Sequence, residues 1–191
     1  MEVAQNISMK AIIGKKIGMS QVFDKDGKVT PVTMVEIPEN KIRIVKTDKK
    51  DGYDALVIQC LNKKKEVRIS KDEVSKYKSD QTLGLEQFEK DDQVAVSAVS
   101  KGKGFAGVIK KYGFSRGPET HGSDHHRHPG SIGSMFPQRV WKGKKMPGHM
   151  GVNKVTVKGL KVVDIHPEEK IILIKGALPG SNKSLVVITR E

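Results

Sequence analysis

Cysteine is nearly absent from this chain, with Cys60 alone among 191 residues. That excludes an internal disulfide and any zinc knuckle built on cysteine, and it fits a reducing compartment. Long apolar runs are also missing. No stretch approaches the roughly 20 residues a helix needs to span a bilayer, and no apolar segment follows the N-terminus, so the sequence predicts a protein that is neither membrane-inserted nor secreted. Glu2 and the lack of early arginine argue against a transit peptide. Aromatics make up only 5% of the residues, with a single tryptophan. The most informative scarcity is local. Between Lys101 and Lys154 the only acids are Glu119 and Asp124, against eleven Lys and Arg.

That segment also carries eleven of the 19 glycines and five of the six histidines. It supplies about +9 of the chain's net +13, leaving the remainder with the mild surplus of an ordinary soluble domain. With little apolar material and strong self-repulsion, residues 101–154 are expected to form an arm that becomes ordered only when docked on a polyanion. Anionic lipid would require an amphipathic helix with large apolar residues on one face, which Gly and His at this density do not make.

Strand grammar surrounds the arm. Asp26-Gly27 between Gln21–Phe23 and Val29–Val32 predicts a hairpin. Lys41–Val45 and Ala55–Leu61 read as two further strands, completing a β-meander. Residues 62–92 are polar, with Val74, Tyr77, Leu83, Leu85 and Phe88 as sparse apolar points, and predict one or two short helices in a solvated insertion. Val94–Val99 resumes strand pattern, as do Val155–Ile165, Lys170–Lys175 and Leu185–Thr189. The fold class is therefore mostly β: a small closed or half-closed barrel from residues 9–100 and 155–191, with short helices and a long, largely irregular basic extension.

Within the arm, Lys101-Gly102-Lys103-Gly104-Phe105-Ala106-Gly107 sets cations on a backbone able to approach phosphates closely, or else is a charged flexible linker. Lys110 and Lys111 fall in one predicted helical turn, Val108–Tyr112. His121, His125, His126 and His128 invite a metal reading. The glycine and proline flanks deny them a helix, Asp124 is the only carboxylate at hand, and imidazoles that stack on bases or donate to phosphates suit the surroundings better. Trp141 lies among Arg139, Lys142, Lys144, Lys145 and His149, either as a stacking platform or as the arm's own buried anchor. The Walker pattern is missing after Gly102, Gly104 and Gly107. The arm's Ser residues sit in no activating context, so no catalytic residue, metal, cofactor or small-molecule substrate is expected.

Three motifs resemble the large-subunit ribosomal protein L3 (uL3) family, bacterial type. They are Ile12-Ile13-Gly14-Lys15-Lys16-Ile17-Gly18-Met19, Ser100–Gly107, and Pro129-Gly130-Ser131-Ile132-Gly133 followed by Arg139-Val140-Trp141-Lys142-Gly143-Lys144-Lys145-Met146-Pro147-Gly148-His149-Met150-Gly151. The resemblance runs from Met9 almost to the C-terminus. It implies a translation-protein-type barrel on the outside of the large subunit of the cytoplasmic ribosome, and an arm threading 23S rRNA toward the peptidyl transferase centre beside neighbouring subunit proteins. It also implies a role in early subunit assembly and none in the chemistry. By motif, Lys101, Lys103, Lys142, Lys144, Lys145 and His149 would touch rRNA, with Ser134, Met135, Phe136, Pro137 and Gln138 at the innermost tip. Lys15, Lys16, Lys110, Lys111, Arg116, His121, His125, His126, Arg127, His128, Arg139, Trp141 and Lys154 complete the candidate RNA-binding set. The chain departs from the family in three places. It is one residue short between Gly133 and Arg139, so Gln138 is not taken as the methylated glutamine of common bacterial members. It is shorter between Phe88 and Ser100, and residues 1–8 precede the usual start, which makes Met9 the expected initiator. The rival reading is a freestanding RNA chaperone or translation factor.

Overall fold

Alternation in the first strand already calls for two apolar cores. In β1 (Ala11–Phe23) Ile12 points into one cluster while Ala11 and Ile13 point into another, because successive side chains on a strand face opposite sides. The computed structural model describes residues 11–23, 27–74 and 77–190. After β1 come β2 (Val29–Glu36), β3 (Asn40–Lys46), α1 (Asp48–Asp51), β4 (Ala55–Cys60), β5 (Lys63–Arg68), α2 (Lys71–Val74), β6 (Thr82–Leu83) and β7 (Gln93–Val99). The arm contains β8 (Phe105–Ala106), α3 (Val108–Tyr112) and β9 (Gly148–His149), and the chain closes with β10 (Lys154–His166), β11 (Ile171–Lys175) and β12 (Leu185–Arg190).

Six strands close on themselves in the order β1-β12-β7-β10-β11-β2, every neighbouring pair antiparallel. Closure leaves no open edge along the ring. Ile12, Val35, Val96, Ile172, Ile174 and Ile188 fill the interior and are fully buried, each contributing about 1.5–3 kcal/mol of transfer free energy. A second sheet, ordered β5-β4-β3-β6, lays Ile42, Leu56, Ile58 and Cys60 against Ala11 and Ile13, with the outward-facing Leu185 and Val187 of β12 packed beside them. Asn40 stitches the two sheets together. Its buried side chain accepts from Ile13 N at 3.2 Å and donates to Ile13 O at 2.9 Å and Pro38 O at 2.8 Å, replacing a missing rung of backbone pairing.

The hairpin around Gly27 forms, with Phe23 opposite Val29, while Asp26 lies outside the described residues, as does the expected start at Met9. The meander divides where the sequence predicts continuity, since β3 and β4 leave the barrel for the second sheet. The physical reason is the outer face of β1 and β12, which is too apolar to stand in water. Residues 63–68, expected within a helical and loop insertion, form the edge strand β5, where only Val67 is buried and lysines face solvent. Charged edges of this kind discourage further pairing and hide the strand from a composition reading. The short helix α2 and a 3-10 turn at Leu85–Gln87 do occur in the insertion.

The described chain separates into a globular unit, up to Ser100 and again from Lys154, and an arm of residues 101–153. Val99 at the end of β7 pairs with Lys154 at the start of β10, so the arm is inserted where a tight hairpin turn would otherwise stand. Lys154, expected as the last arm residue, is thus the first residue of β10.

Candidate nucleic-acid interface

The root of the arm is a zipper of backbone bonds. Lys103 N donates to Met150 O and Met150 N to Gly104 O, each at 2.9 Å, and β8 then pairs with β9, Phe105 opposite His149. Gly151 makes the closest approach in this zipper, since a Cβ there would sit 2.2 Å from Lys101 O, and its φ of 85° disfavours any other residue. Lys101, Lys103 and His149 are exposed, and the Phe105 side chain is 80% exposed.

Of the arm's sparse apolar side chains, Ala106 at the end of β8 and Val108 at the start of α3 are buried. Gly113, at φ 73°, ends that helix by donating to Ile109 O at 2.8 Å. Lys110 is exposed. Lys111 lies over the Tyr112 ring at 5.1 Å, and Lys145 of the returning chain approaches the same ring at 5.9 Å. These contacts order the ring while leaving both ammonium groups without an anionic partner.

Beyond α3 the chain forms a back-bonded loop. Gly117 N donates to His126 O at 3.1 Å, His126 Nδ1 lies 2.7 Å from Pro118 O, and Thr120 O accepts from Ser123 N at 3.4 Å across His121 and Gly122, both at positive φ. Two successive left-handed residues define a type I′ turn. Arg116 pairs with Glu119, the one ion pair within the arm among the described residues. Arg127, His125 and His128 are exposed, with the two imidazoles edge to face at 5.0 Å. No cluster of three His, Cys, Asp or Glu suited to a metal occurs among the described residues.

From Ser131 to Lys145 every residue is exposed. The turn Ser134–Gln138 is held by Ser134 Oγ donating to Phe136 O at 2.5 Å and by Arg139 N donating to Pro137 O at 2.6 Å. Met135 and Phe136 are 77% and 69% exposed. Trp141 is exposed too, with the Arg139 guanidinium over its ring at 5.2 Å, which decides against the buried-anchor reading. Lys142 and Lys144 flank Gly143, where Lys144 N donates to Trp141 O at 3.2 Å.

Two candidates from the globular unit fare differently. Lys15 pairs with Glu36 at 3.9 Å. Lys16 is a correction: it is buried, and its ammonium donates to Leu178 O at 2.7 Å and Gly180 O at 3.3 Å, so it ties a loop to β1 and offers no open charge to RNA. Phe105 and Phe114 were not among the sequence candidates. Their signal was aromatic residues interleaved with lysine and glycine, diluted by the low aromatic content.

Comparison with known proteins gives a consistent result. The sequence model described as Ribosomal protein L3 matches residues 61–170. The chain is 44% identical over 204 residues to the large ribosomal subunit protein uL3 of Desulforapulum autotrophicum, covering 95% of this chain and 98% of that protein. The uL3 proteins of Alkaliphilus metalliredigens, at 42% identity with 94% and 96% covered, and Streptococcus mutans, at 44% with 94% and 95% covered, are similarly close.

Proposed function

The chain belongs to the ribosomal protein L3 family, and on that premise we propose that it is a structural constituent of the large ribosomal subunit whose arm binds 23S rRNA. The family is structural, and the protein supplies fixed cations and no chemistry of its own. In this reading the globular unit anchors on rRNA beside neighbouring subunit proteins in the cytoplasmic ribosome. The arm supports early assembly by replacing diffuse counterions between crowded phosphates, with Ser134–Gln138 toward the peptidyl transferase centre. A freestanding chaperone or translation factor is not favoured, since the relatives are named as subunit proteins.

One observation carries the reading. Lys101, Lys103, Lys110, Lys111, Arg139, Lys142, Lys144 and Lys145 have no ion-pair partner among the described residues, on a segment whose outer part buries none of its own side chains. Eight such cations meeting phosphates give a log–log salt slope for binding large-subunit rRNA of about −6. A slope shallower than about −2 for the full-length protein would remove the arm from the interface.

A further inference from the structure

The arm's charge is not spread evenly. Both of its acids, Glu119 and Asp124, fall between Gly113 and Ser131, where they balance Arg116 and Arg127. The eight remaining arginines and lysines of the arm all lie outside that loop. A loop without net charge is poorly suited to neutralising phosphates, yet this one borders an open cup of about 860 Å³ lined by Phe114, Arg116, His125 and His128. We propose that the cup receives a single unstacked nucleotide of the RNA, an inference that rests on the arm being an RNA-binding element.

The cup is built before any ligand arrives. The I′ turn at His121-Gly122 and the two bonds joining Gly117 and Pro118 to His126 fix the loop's width. Gly117 permits the approach, since a Cβ there would stand 2.3 Å from His125 O. The lining then matches an extruded base. Phe114, His125 and His128 offer ring faces and edges, and imidazole and guanidinium nitrogens can meet base edges or the attached phosphate. Stacking on such rings is a recurring source of affinity in single-stranded recognition. A base inside an A-form helix presents neither face, so the cup selects for an unpaired position. Glu119 holds the Arg116 guanidinium at the cup and offsets its charge, which limits the loop's attraction for duplex phosphates.

The test uses the full-length protein and two RNA hairpins, one fully paired and one identical except for a single bulged 2-aminopurine. The expected result is about tenfold tighter binding of the bulged hairpin, with quenching of its fluorescence as the base stacks. Phe114→Ala with His125→Ala should abolish the quenching and the preference, so that the two hairpins bind within about twofold of one another. Gly117→Ala, which keeps every ring but displaces the loop, should do the same, and circular dichroism checks that each variant keeps its β signal. Equal affinity for both hairpins, or a preference that survives both variants, overturns the cup while leaving the arm's RNA role standing. Failure to bind either hairpin at low salt overturns both.

Discussion

The globular unit and the arm handle the same residue types in opposite ways. In the globular unit several lysines and arginines have a local acid partner: Lys46 with Glu66, Arg43 with Asp80, Lys71 with Asp48, Arg190 with Asp92. Isoleucine and valine there fill two cores. In the arm the lysines and arginines outside the Gly113–Ser131 loop have no ion-pair partner among the described residues, and Met135, Phe136 and Trp141 lie open. Folding the first unit satisfies its groups, whereas the second holds a shape whose charges and rings await a partner. The contrast accounts for one chain containing a self-sufficient barrel and an extension that burial alone would not stabilise.

Excising the arm should have the largest effect. Because Val99 and Lys154 are paired, residues 101–153 can be replaced by a short Gly-Ser turn. The barrel should keep its melting profile while affinity for large-subunit rRNA at low salt falls about a thousandfold, measured by filter binding. If affinity survives, the globular unit carries the interface. The converse perturbation is Asn40→Ala, which strands Ile13 N and O at the junction of the sheets and should cost about 2 kcal/mol in urea unfolding without altering the salt slope. Lys16→Ala should behave likewise, at about 1–3 kcal/mol, since its carbonyl partners lie inside the fold. A changed slope for Lys16→Ala would return that residue to the RNA-facing set.

Smaller effects sharpen the same division. Lys142→Ala and Lys144→Ala should each flatten the salt slope by about 0.8 and leave unfolding unchanged. The smallest effect concerns pH. Hydrogen bonds from Lys46 and Tyr53 hold the Glu66 carboxyl below its ordinary range, so the folded state binds this proton less readily than the unfolded chain does. Its contribution is present above the unfolded value, near 4.3, and is lost as pH falls through the lower folded value. Glu66→Gln should therefore slightly flatten the acid limb of the stability profile, and the exposed setting keeps the change small.

Much of this division was legible in the sequence because it is written in charge and period. The charge map singled out residues 101–154 as a stretch of different character, and β-branched runs marked β1, β2, β4, β7 and β10–β12. What escaped depended on tertiary partners. The second sheet arises because β1 and β12 are apolar on both faces, which a strand pattern cannot distinguish from one buried face and one neighbouring strand. β5 was hidden because an edge strand is free to be mostly lysine and glutamate. Lys16 sits in a motif beside Lys15, and only the carbonyls of Leu178 and Gly180, more than 160 positions away, draw it inside. The cup at Gly113–Ser131 was unreadable because its walls are set by backbone bonds around Gly117 and a turn with left-handed His121, neither of which has a compositional signature.

The central claim is that the outer arm is held by RNA and the barrel by its own core. Amide hydrogen exchange on the full-length protein, free and after assembly onto large-subunit rRNA, tests this most directly. The account predicts protected strands β1, β7, β10 and β12 in both states, with residues 131–145 exchanging rapidly when free and slowly when bound. Protection of 131–145 in the free protein equal to that of the barrel strands, or rapid exchange there in both states, would contradict it.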